Sequence, residues 1–158
     1  MKNALVKIIA TGFYSGYGRP FPGTWGTIPA WLLAYFLVGG NQALLTGIAL
    51  GALVLSVWAS GRAEQIYGHD ARKIVIDEWV GMFIALILVP YSLTNYAVAF
   101  VAFRGFDVIK LPPATQAERL PGGWGVTMDD VIAGVQANVA THLIIIGLSS
   151  IGQGGAFG

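Results

Sequence analysis

The chain contains no cysteine and only two histidines in 158 residues. Without thiols there is no disulfide framework and no thiolate metal centre, so any bound metal must rely on oxygen or imidazole ligands. Charge is also scarce. Only 11% of the residues are charged, where a soluble domain usually has about a quarter, and the net charge of +1 provides no basic field for nucleic acid. Apolar residues dominate: 55% of the chain is hydrophobic and the mean hydropathy is +0.66. The length suits a single domain spanning residues 1–158, and the composition suits a membrane protein.

The charges are grouped. All of them lie in three blocks, roughly residues 2–19, 62–78 and 104–130, separated by uncharged runs. A helix needs about 20 mostly apolar residues to cross the hydrocarbon layer. The runs predict an all-α bundle of about four to five apolar helices, near residues 28–38, 43–60, 74–89, 96–111 and 129–151. Gly39, Gly40 and Asn41 supply one turn, and residues 90–95 supply another. The segment 28–38 is short, so it must either recruit the loop before it or enter the membrane part way. In this arrangement every charged block falls on one face. Because the blocks hold every Lys and Arg, that face is expected to be cytoplasmic in a multi-pass protein. Residues 1–10 lack the long apolar core of a signal peptide, and the glycine-rich tail from about 152 is expected to fray. The competing reading, a soluble helical domain, would need polar outer faces, which ALLTGIALGALVLSVWAS at 43–60 does not provide.

Several acids stand where apolar helices begin. In HDARKIVIDEWVG, Asp77 and Glu78 open an apolar run, an expensive place for carboxylates unless they are paired, hydrated or bound to a cation. Lys73 lies one helical turn before Asp77 and could pair with it. In FRGFDVIK, Asp107 has Arg104 three residues before it and Lys110 three residues after, either as an ion-pair ladder or as a phosphate-binding group. In GVTMDDVIAG, Asp129 and Asp130 are adjacent. Thr127 and Asp130 match a capping box, which would explain one of the two aspartates. Ahead of these, GYGRPFPGTWGT could bring backbone N–H groups to an anion through Gly23 and Thr24, or form a rigid turn with Thr24 or Thr27 as a helix cap. Clustered carboxylates repel one another unless a cation sits among them, and among hard cations magnesium comes first. The histidines do not form a metal pair: His69 falls in a polar loop, and His142 should hydrogen-bond within the bundle.

Four segments together carry a resemblance: PGT at 22–24, IVIDEWVG at 74–81, FRGFDVIK at 103–110 and GGWGVTMDDVIAG at 122–134. In order and spacing the chain resembles the bacterial phosphatidylglycerophosphatase A family from about Gly16 to Gly134. It departs from the family pattern at Ala71, where a proline is usual, and after Lys110, where Leu111 precedes the prolines. The resemblance implies a magnesium-dependent lipid phosphatase of the bacterial inner membrane acting on phosphatidylglycerophosphate. Asp77, Glu78, Asp107, Asp129 and Asp130 would be catalytic, with Asp77, Glu78, Asp129 and Asp130 holding the metal. Arg104, Lys110, Gly23 and Thr24 would bind substrate. The alternatives are a small transporter or ion-binding channel, whose site would be expected nearer the bilayer midplane, and a phosphotransferase using a nucleotide-activated lipid.

Overall fold

The structure, a computed structural model, describes residues 2–68 and 71–154. The expectation for His69 and, beyond Gly154, that for the tail lie outside the described residues, while residues 152–154, expected to fray, continue the last helix. Among the described residues all regular structure is helical: α1 (Lys2–Ala10), α2 (Pro22–Leu32), α3 (Gln42–Tyr67), α4 (Ile76–Ala85), α5 (Leu93–Ile109), α6 (Ala114–Ala117) and α7 (Gly123–Gly154), with a 3₁₀ turn at Ser15–Tyr17.

Local chemistry sets most of the boundaries. Pro22 opens α2, where its missing N–H costs nothing, and a π-helical stretch, Leu33–Val38, prolongs that helix. The helix that holds the short apolar segment thus runs over residues 22–38. Gly39 and Gly40 then turn the chain at positive φ. The Asn41 side chain accepts a hydrogen bond from Leu44 N and so caps α3. Ser92 caps α5 in the same way through Asn95 N. Two expected caps are absent because their helices start earlier. Thr24 and Thr27 lie inside α2, and Thr127 lies one turn inside α7. The Thr127 hydroxyl instead bonds Ser56 Oγ on α3, 2.8 Å away. Asp130 is therefore not the partner of a capping box.

Of the four to five expected spans, two are long and apolar enough to cross a membrane among the described residues: α3 and α7 through Ser150. Only 28% and 22% of those stretches is buried, and Phe36, Leu37, Val54, Val101, Leu143 and Ile146 point outward. An apolar outer surface of this extent fits lipid better than water. Helix α4, with its 10 residues, covers only about 15 Å. Its last carbonyls end within the apolar bundle, where unpaired polar groups are costly. Asn138 Nδ2 donates to Ala85 O and Ile87 O at 3.1 and 2.7 Å, and Gln42 Oε1 accepts from Leu88 N. The ring nitrogens of His142 lie 2.9 Å from Asn138 O and 3.2 Å from Leu88 O, the in-bundle bonding expected for that residue.

Helices α4 and α7 run side by side at near backbone contact. A Cβ on Gly134 would strike the Gly81 carbonyl, and a Cβ on Gly81 would strike the Phe103 ring and Asp130 O. This contact sets the height of the acids on both helices. Gly134→Ala should push the two backbones apart and cost about 1–3 kcal/mol. Gly51→Ala, at an open position on α3, should be neutral or slightly stabilising. Thermal unfolding of both variants in detergent checks this, and equal melting temperatures would contradict it.

Candidate functional site

The helix directions bring the second and third charged blocks together with the start of α2 at one end of the bundle. There a cavity of about 540 Å³ is lined by Gly23 and Thr24 from α2, Asp77 and Glu78 from α4, Arg104 and Asp107 from α5, Lys110 just beyond it, and Asp129 and Asp130 from α7. All nine residues singled out in the sequence meet in this one space. Arg72 lines it as well. It stands in the basic run ARK just before the acids, a position that the sequence reading left without a role.

The α2 glycines make room for the polar groups. A side chain at Gly23 would collide with Glu78 Oε1 and the Arg104 guanidinium, and one at Gly26 with Val75 and Glu78 Oε2. Glu78 and Arg104 thus sit against the first turn of α2, where backbone N–H groups and the positive end of the helix dipole face the cavity. Thr27 joins them: its Oγ1 donates to Gly23 O at 2.8 Å and lies 3.3 Å from both Glu78 Oε2 and Arg104 Nη1. Sequence reasoning had weighed Thr27 only as a cap.

Arg104 Nη1 lies 2.7 Å from Asp107 Oδ2 and 3.6 Å from Glu78 Oε1, so the expected Arg104–Asp107 pair forms. Its Nε is buried without a partner. The expected Asp107–Lys110 pair does not form. Lys110 ends α5 in a left-handed conformation with φ 50°, which swings its Nζ to Asp129 Oδ2 at 2.9 Å and Glu118 Oε1 at 3.0 Å. The expected Lys73–Asp77 pair also fails, because α4 starts only at Ile76. The Lys73 ammonium lies over the Tyr17 and Tyr67 rings.

The acids are crowded. Asp77 and Asp130 are 6% and 4% exposed. Asp77 Oδ1 accepts from Glu78 N, and Asp129 Oδ1 accepts from Asp130 N. The Asp130 carboxylate makes no hydrogen bond or ion pair among the described residues and opens on the cavity. Burial, with Glu78 and Asp129 nearby, pushes the Asp77 carboxyl well above the usual carboxylate range. Burial likewise raises Glu78 to about 8, although Arg104 works against it. Burial alone would lower the Lys110 ammonium, but its bonds to Asp129 and Glu118 outweigh that and hold it above its ordinary value. Among the described residues no group of three or more acidic or histidine side chains is already arranged around a metal position. The donors are nevertheless all oxygen, one carboxylate is unpartnered, and neighbouring acids help to raise the Asp77 carboxyl, a set that fits a hard cation.

Comparison with known proteins bears on this site. The family model for phosphatidylglycerophosphatase A matches residues 8–145. A protein of Bacteroides thetaiotaomicron named "Putative phosphatidylinositol-3-phosphatase" is 40% identical over 139 residues, covering 83% of this chain and 87% of its own. Proteins named phosphatidylglycerophosphatase A from Haemophilus influenzae and Escherichia coli are 34% and 35% identical, covering 88% and 81% of this chain and 88% and 76% of their own. No solved structure matches the chain. The match takes in all four motifs and every acid of the cavity, and the chain belongs to the phosphatidylglycerophosphatase A family of lipid phosphatases.

Proposed function

We propose that this enzyme hydrolyses the terminal phosphomonoester of phosphatidylglycerophosphate, giving phosphatidylglycerol and inorganic phosphate, from the cytoplasmic face of a bacterial inner membrane that it crosses more than once. The observation that carries the reading is the meeting of Arg104, Lys110 and the α2 N-terminus with five carboxylates in one cavity at the charged end of an apolar bundle. A substrate whose acyl chains stay in the bilayer calls for a site of that kind. It also argues against the transporter alternative, since the acids gather at the end of the bundle rather than midway along it.

Arg104 receives the phosphate oxygens on the part of its guanidinium that lines the cavity, and Asp107 holds the guanidinium in place. The backbone N–H groups of Gly23 and Thr24 and the Lys110 ammonium take up further phosphate charge. Asp77, Glu78, Asp129 and Asp130 would hold magnesium, which supplies charge to polarise the phosphoryl oxygens and to acidify a water. Asp130, the unpartnered acid, takes a proton from the attacking water. The water oxygen bonds to phosphorus as the bond to the glycerol oxygen breaks, and that oxygen takes a proton from solvent as it leaves, Asp130 then giving its own proton back to solvent. The relative named for a phosphatidylinositol phosphate would face the same bond on another headgroup, so that lipid belongs in the assay.

Phosphate release from phosphatidylglycerophosphate by the purified protein should require magnesium and stop with a chelator. Asp130→Asn and Glu78→Gln should lower turnover by about two or more orders of magnitude at unchanged fold content. Near wild-type turnover by Asp130→Asn would remove Asp130 from the mechanism. Faster release from phosphatidylinositol 3-phosphate would move the substrate assignment to that lipid.

The raised carboxyls also set a pH dependence. In chelator, folded Glu78 holds its proton to about pH 8, whereas unfolded Glu loses it near the ordinary value of about 4.3. The folded state binds more protons across that window, so stability from this group is present at low pH and lost as pH rises toward 8. Melting temperature in chelator should fall by several degrees between about pH 5.5 and 8.5, and Glu78→Gln should flatten the fall. Stabilisation by added magnesium should grow over the same range, because the metal binds the ionised acids. A chelated protein that grows more stable with pH would contradict the sign.

A further inference from the structure

The geometry points to the groove between α2 and α5 as the seat of one acyl chain of the lipid whose phosphate occupies the cavity. This inference rests on the reading of the cavity as a lipid-phosphate site. The groove has a volume of about 300 Å³ and is lined by Ile28, Trp31 and Leu32 from α2 and by Ala97, Phe100 and Val101 from α5. The cavity takes Gly23 and Thr24 from the same α2, and Arg104 and Val108 from the same α5. The two spaces are therefore consecutive stretches of one seam.

Helical spacing makes the seam continuous. Thr24, Ile28 and Leu32 recur every four residues on α2, and Ala97, Val101, Arg104 and Val108 follow one another at intervals of four, three and four on α5, so each set shares a face. From Thr24 to Leu32 the seam runs about 12 Å, away from the charged end. A phosphomonoester lipid has the same polarity along its length, with an anionic head followed by apolar chains. No polar atom faces the groove. The single polar atom of Trp31, Nε1, is turned away to the Tyr96 carbonyl at 2.8 Å, and the indole stacks on Tyr35 at 5.4 Å with its plane 3° off parallel, which fixes that wall. A second apolar groove, between α5 and α7, shares Ala97 and Val101 with the first but lacks the α2 wall that leads to Thr24 and Gly23, and it meets α7 only at Ile144, about 20 Å along the helix from Asp130.

The test compares long-chain phosphatidylglycerophosphate with its fully deacylated headgroup as substrates. Ile28→Trp, which fills the groove, should lower kcat/KM for the long-chain lipid about tenfold through KM and leave the deacylated compound unchanged. Ile144→Trp, equally bulky but in the other groove, should change neither. The same long-chain preference in Ile28→Trp as in the unmodified protein would overturn the proposal. A second measurement does not depend on that variant folding. Phosphatidylglycerophosphate bearing a photoreactive group on an acyl chain is added to the unmodified protein in micelles. Label on residues 28–32 and on Phe100, displaced by unlabelled substrate but not by phosphatidylcholine, supports the groove. Label spread over the outer faces of α3 and α7, or displaced equally by phosphatidylcholine, overturns it. Displaceable label in the groove without phosphate release from any lipid would overturn the hydrolase reading and leave the groove standing.

Discussion

Everything at the charged end of this molecule depends on the backbone contact between Gly81 and Gly134. Helices carrying ordinary side chains at the crossing would stand at the usual separation of 8–10 Å, and the acid pairs they bear would be further apart. With only hydrogen atoms between the helices, Asp77 and Glu78 on α4 come near Asp129 and Asp130 on α7, and Asp129 is close enough to help raise the Asp77 carboxyl. The folded chain thus maintains a repulsion that an apolar packing surface would have avoided. Such an arrangement persists when the surrounding contacts over-determine it and the charge serves a purpose.

The contact needs support at the other end of α4. This helix is too short to traverse the bundle, and its freed carbonyls lie among apolar neighbours. Asn138 and His142, one and two turns beyond Gly134 on α7, reach those carbonyls or their neighbours, while Gln42 holds the following turn from α3. One face of α7 therefore carries Asp130, the glycine of closest approach and the two polar groups that terminate α4. The spacing Asp130, Gly134, Asn138, His142 is a strict four-residue repeat, so the placement of the site and the termination of α4 are properties of one helical stripe.

Much of this could be read from the sequence, because charge in an apolar chain is so sparse that its position nearly determines its location. The charged blocks were expected on one face, and the acids and bases of the second and third blocks do meet in one cavity with Gly23 and Thr24. What could not be read was local backbone geometry. Thr127 looks like a cap until α7 is seen to begin four residues earlier, with Gly123 packed on the α3 backbone at Val57 and Gly61. Lys110 looks like a partner for Asp107 if α5 is assumed to continue, and its left-handed conformation carries it to Asp129 instead. Thr27 and Arg72 carried no sequence signal beyond their neighbours. The stripe of Asn138 and His142 was visible only in part, since an asparagine in an apolar run does not disclose which carbonyls it serves.

The charge balance of the cavity links the proposed cation to the proposed substrate. Five carboxylates line it against three cationic side chains, Arg72, Arg104 and Lys110. Lys110 is already engaged with Asp129, and Arg104 with Asp107. A phosphomonoester brings a further charge of about −1.5 to −2 near neutral pH, so the ionised site alone would repel its substrate at short range in a medium of low dielectric. Protonating the acids would ease that repulsion and remove the ligands a metal needs. A divalent cation resolves both difficulties together, since it ionises the acids and attracts the phosphate. On this reading metal and substrate each strengthen the binding of the other. The acidity that makes the cavity appear ill-suited to a phosphate is then the feature that couples lipid binding to the cation.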